Sequence, residues 1–132
     1  MKNLLVVTSV FEALIGVAMI ISPAPLVLLL VGTTLDSPGG LLVARVAGAA
    51  ALALGLLCWL ARDDGQSCAA RGIVTAMLLY NLSVVTLLVY AGFGIGLFGI
   101  GLWPAVLGHV VLAVWCITWL RPVDPSHRGQ GV

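Results

Sequence analysis

Four apolar stretches run along the chain, at about residues 4–22, 39–61, 72–91 and 102–120. Each is close to the roughly 20 residues that a helix needs to cross a bilayer core. Most other polar residues gather between or beyond them, while one strongly polar residue sits well inside each: Glu12, Arg45, Asn81 and His109. The pattern predicts an all-α integral membrane protein, a four-transmembrane-helix bundle forming a single membrane domain over residues 1–132.

The connections refine this picture. After the first stretch, Pro23 and Pro25 break the helix, and Leu26 to Val31 resume as an apolar run too short to span. This predicts a short broken or interfacial segment after helix 1, or a half-helix dipping back where protein or water covers its backbone. Ser37 followed by Pro38 has the pattern of an N-cap with proline at the first helical position, so helix 2 starts there. Between helices 2 and 3, Arg62 to Cys68 form a hydrophilic turn, whose acidic pair lacks the further ligands of a metal site. Between helices 3 and 4, Gly92, Gly94, Gly96, Gly99 and Gly101 alternate with apolar residues, predicting a flexible loop packed at the outer surface. Residues 94–99 formally match G-x-G-x-x-G, but that fingerprint works only between a strand and a helix of a βαβ unit, which is not predicted here.

Composition excludes the soluble alternatives. With 61% hydrophobic and 8% charged residues, the chain has too little polar surface to coat a soluble globule. A net charge of +1 supplies no field for nucleic acid, which is excluded as a partner. Lys2 and the apolar run to Ser22 superficially resemble a secretory leader, but Glu12 interrupts the run and no small-x-small cleavage site follows, so the segment reads as the first span. Lys2, Arg62, Arg71, Arg121 and Arg128 all fall on one side of a four-span topology, and the two opposite loops contain no Lys or Arg. The positive-inside rule therefore places both termini in the cytoplasm, in a multi-pass membrane protein. Trp59, Trp115 and Trp119 near the inner ends and Trp103 near the outer one fit an aromatic belt. The three cysteines lack metal or redox spacing; Cys58 and Cys116 read as packing residues and Cys68 as a free loop thiol. Neither a metal nor a cofactor is expected.

The intramembrane polar residues carry the candidate chemistry, because ionisable groups in hydrocarbon need a partner or a cavity. At 1.5 Å per residue, Glu12 and Asn81 lie roughly 15 Å below the outer helix ends, and Arg45 and His109 roughly 10 Å below. Glu12 and Arg45 are expected to pair, since an isolated buried charge is far costlier. Tyr80 and Asn81 add hydrogen-bonding capacity, and His109 is the group whose charge can change near neutral pH. On one reading these residues only satisfy one another. On the other, Glu12, Arg45, Tyr80, Asn81 and His109 line a ligand-binding pocket, in which Arg45 holds an anionic or carbonyl group and Glu12 or His109 exchanges a proton. Small residues on helix 2, Ala44 with Gly48 and Ala47 with Ala51 and Gly55, predict close contact with another helix of this chain, a second copy or a complex partner.

Phe11 to Arg62, with Gly16, Pro23, Gly32, Arg45, Gly48 and Gly55 in a helix, broken-loop, helix arrangement, resembles DoxX-like and related bacterial four-helix membrane proteins over the first two spans. The resemblance implies a four-helix bundle of a bacterial inner (cytoplasmic) membrane and transfers no active site. Length, four helices and a glutamate in helix 1 also resemble small multidrug resistance transporters, although Arg45 and the strong charge bias depart from that pattern. The expected function is binding of a small amphipathic molecule or lipid in the outer half of the bilayer, without catalysis. The alternatives are a proton-coupled small-molecule exporter, a membrane-embedded enzyme using Glu12 or His109, and a structural subunit of a membrane complex.

Overall fold

A computed structural model describes residues 1–65 and 67–121; Gln66 and Arg128, which entered the reading of the turn and of the charge bias, lie outside the described residues. Among them the secondary structure is helical: α1 (Lys2–Ile21), α2 (Pro23–Val31), α3 (Pro38–Ala61), α4 (Cys68–Val89) and α5 (Leu102–Leu120), with a π-helical turn, Tyr90–Gly94, continuing α4. Four helices, α1, α3, α4 with its extension, and α5, are long and apolar enough to cross a membrane. Their outward surfaces are apolar as well: Leu14, Val43, Leu79 and Leu107 are all largely exposed. Such an inside-out distribution suits hydrocarbon and not water.

Local chemistry sets the boundaries. Pro23 has no N–H to continue α1, so the chain turns at Ser22 and restarts with proline in the first turn of α2. Gly32 ends α2 in the left-handed conformation, at φ +76°. Ser37 caps α3 by accepting the Gly40 N–H at 3.0 Å, as its sequence with Pro38 predicts. Ser67 caps α4 in the same way through the Ala70 N–H at 3.0 Å, so this helix starts about a turn earlier than its hydropathy alone indicates.

α1 packs most closely on α3, and α4 on α5. The small residues Ala44, Gly48, Ala51 and Gly55 lie buried on α3, and a Cβ added at Gly48 would meet Met19 Cβ at 2.6 Å and the Gly16 carbonyl at 2.8 Å. The stripe read from sequence is thus occupied by α1 of the same chain. At the end of the molecule where α1 begins and α3 ends, Leu4, Leu5, Cys58, Ala61, Val74, Met77, Leu112 and Cys116 close an apolar core. At the opposite end the chain between α1 and α3 forms α2. There α2 lies against α1, α3 and α5, tied by the Gly101 N–H, which donates to the Leu29 carbonyl at 2.9 Å.

Candidate functional site

A cavity of about 210 Å³ lies between this core and α2, and every helix contributes to its wall. α1 supplies Phe11, Glu12, Ile15 and Met19; α2 supplies Leu26, Val27 and Leu30; α3 supplies Ala47 and Ala51. Tyr80, Val84 and Leu88 of α4 and Ala105 and His109 of α5 complete it. The lining is therefore apolar, apart from a carboxyl, a phenol and an imidazole.

These three groups are held in a defined way. Glu12 is only 1% exposed, and its Oε2 accepts the Tyr80 hydroxyl at 3.2 Å. No group among the described residues donates to Oε1. Behind the cavity wall, Asn81 donates its amide N–H to the Met77 carbonyl at 2.7 Å. Since a carbonyl can only accept, the Asn81 oxygen is turned to His109, whose Nδ1 lies 2.8 Å away and must carry the proton. His109 is thereby fixed in one tautomer, with Nε2 as the ring's free acceptor. The rings of Phe11 and Tyr80 meet the His109 ring edge-on, each at a centroid distance of 5.9 Å, which further fixes its orientation.

Arg45 does not join the cluster, and the expected Glu12–Arg45 pair is absent. Its Nε donates instead to the Ile20 carbonyl at 3.2 Å, on an exposed face. Two geometric facts separate the charges. Arg45 follows Ala44, which is buried against α1, so the helical rotation of about 100° carries Arg45 off that face. In addition, α3 begins seven residues before Arg45, while α1 ends one residue after Ile20, so the two helix ends are not level. Ile20 lies eight residues from Glu12, about 12 Å along the axis. The ion pairs among the described residues, Lys2–Asp63 at 2.7 Å and Arg62–Asp63 at 3.2 Å, lie far from the cavity, where the start of α1 meets the turn after α3.

Of the five residues singled out from sequence, Glu12, Tyr80 and His109 share the cavity, Asn81 supports His109 from behind, and Arg45 stands apart. Phe11 and the α2 residues Leu26, Val27 and Leu30 were not anticipated. Apolar side chains carry no chemical signature, although Phe11 adjoins Glu12 and the proline break did mark α2 as unusual. No group of three or more His, Cys, Asp or Glu suited to a metal occurs among the described residues. The cavity instead offers acceptors in an apolar wall, an arrangement suited to binding a small ligand through its donors. Comparison with protein-family models, curated proteins and solved structures yields no match to this chain.

Proposed function

We propose that this protein is a four-helix bundle of a bacterial inner membrane, with both termini in the cytoplasm, that binds a small amphipathic molecule in the outer half of the bilayer without transforming it. The segregation of basic residues supports the orientation. One observation carries the binding function: a fully buried carboxyl lines an apolar cavity with one oxygen unpartnered. An ionised carboxylate buried without a cation is costly, so Glu12 calls for a proton or for a donor-bearing ligand. An apolar cavity of about 150 Å³ accommodates benzene. At about 210 Å³, this one suits a single ring with a short polar arm, or the end of one lipid chain.

The separation of Arg45 changes the ligand chemistry expected from sequence. With the guanidinium elsewhere, no cationic side chain among the described residues lines the cavity to hold an anionic group. The same fact supports a second reading, proton-coupled export, because no cation among the described residues neutralises the carboxylate. That reading predicts proton release on substrate binding, abolished in Glu12→Gln.

The binding function is tested with benzyl alcohol as probe. The chain contains three methionines, of which Met19 lines the cavity and Met77 lies in the closed core. In lipid nanodiscs, the ¹³C-methyl signal of Met19 is expected to shift saturably on titration while that of Met77 stays in place, and Ala105→Phe, which fills the cavity, is expected to abolish the shift. A non-saturating drift shared by both signals would reflect partitioning into lipid and would end this reading.

A further inference from the structure

We infer that the ligand of this cavity is a primary or secondary amine with an apolar body of about one ring, held as an ammonium between Glu12 and His109. The inference rests on the proposed binding function and narrows its ligand class. Glu12 Oε1 is unpartnered on a side chain 1% exposed, and His109, at 7% exposed, commits its Nδ1–H to Asn81 and keeps Nε2 as an acceptor. No ion pair among the described residues includes Glu12. With Glu12 ionised, the open positions accept hydrogen bonds and lack a positive charge. An alcohol brings one O–H donor, whereas an ammonium brings two or three N–H donors together with the charge. Phe11 and Tyr80 add aromatic surface to the wall, which favours a cation over a neutral head of equal size.

A quaternary ammonium has the charge but no N–H, so it leaves Oε1 and Nε2 unsatisfied. This separates the inference from binding of lipophilic cations in general. The proton balance follows from the route of entry. A neutral amine arriving through hydrocarbon takes the proton of the Glu12 carboxyl, forming an ammonium and a carboxylate without bringing net charge into the site. An ammonium arriving from water displaces that proton to solvent.

The test uses the full chain in phosphatidylcholine nanodiscs, with the Met19 methyl signal as reporter and benzylamine, benzyl alcohol and benzyltrimethylammonium as probes. Benzylamine is expected to bind at least about tenfold more tightly than either of the others, the gain of a charge-assisted hydrogen bond. Glu12→Gln is expected to weaken benzylamine binding far more than benzyl alcohol binding, so that the preference is lost. Equal affinities for the amine and the alcohol, a quaternary probe that binds as well as the amine, or a preference that survives Glu12→Gln would each overturn the amine assignment and leave the binding function standing. If no probe moves Met19, both fall. Should Glu12→Gln fail to fold, the ranking of the three probes on the wild-type chain still decides the question.

Discussion

Replacing Gly16 by alanine tests the contact that positions Glu12, four residues earlier on α1. A Cβ at Gly16 would meet the Leu52 nitrogen at 2.6 Å and the Gly48 carbonyl at 2.7 Å, both backbone atoms that cannot rotate away. Restoring ordinary contact at 3.4 Å requires α1 and α3 to separate by about 0.8 Å locally. Forced separations of this kind cost about 1–3 kcal/mol. The Tyr80–Glu12 hydrogen bond, already 3.2 Å long, has little room to lengthen before it is lost. Gly16→Ala is therefore expected to destabilise the protein by about 1–3 kcal/mol and to weaken binding at the cavity. Gly48→Ala should match it, and Gly55→Ala, whose closest contacts are 3.0 Å, should cost less. Gly72→Ala and Gly108→Ala, with nothing within 4 Å, serve as controls. Reversible unfolding in mixed micelles, followed by circular dichroism, measures the series. If Gly16→Ala and Gly48→Ala stay within about 0.5 kcal/mol of the controls, the close α1–α3 approach is wrong.

Three further outcomes are expected. Asn81→Leu leaves the His109 Nδ1–H without its acceptor, so it should destabilise by about 1–3 kcal/mol in the same unfolding assay and broaden the His109 ring signals; an unchanged spectrum would argue against the fixed tautomer. Gly99→Ala places a Cβ against the Leu29 carbonyl, which should displace α2 and raise protease or deuterium access to Pro23–Val31; unaltered exchange there would show that the loop does not anchor α2. The Lys2 ammonium, hydrogen-bonded to Asp63, holds that carboxyl below its ordinary value of 3.8, with the charges of Lys2 and Arg62 adding to the effect. Because the folded value is the lower one, this contribution is present above about pH 4 and is lost as pH falls through the folded value. Asp63→Asn should accordingly be less stable than wild type at pH 7, by a difference that shrinks as pH falls below about 4, and a difference undiminished in acid would point to another cause.

Particular residues show how far the sequence could be read. The four long helices and the break after α1 were legible, because apolar length, Pro23 and the Ser37–Pro38 cap act locally. The start of α4 was misplaced by four residues, since Ser67 caps it before the apolar run begins. Glu12 and Arg45 do not pair for a tertiary reason: depth along the sequence gives relative height only where helix ends are level, whereas α3 extends beyond the end of α1. The phase of Arg45 was available from its neighbour Ala44 on the small-residue stripe, but only a known partner helix gives that stripe a direction. The contact of Asn81 with His109 and the closure of the cavity by α2 depend on how the helices assemble, which hydropathy does not encode.

Glu12 is the only glutamate in the chain, so carboxyl labelling of glutamate reports on this one side chain. The most direct test of the account is the ¹³C signal of that carboxyl in nanodiscs during titration with benzylamine. That signal is expected to move over the same concentrations as the Met19 methyl signal, because both groups line one cavity. A Met19 signal that shifts to saturation while the Glu12 carboxyl stays still would contradict the account.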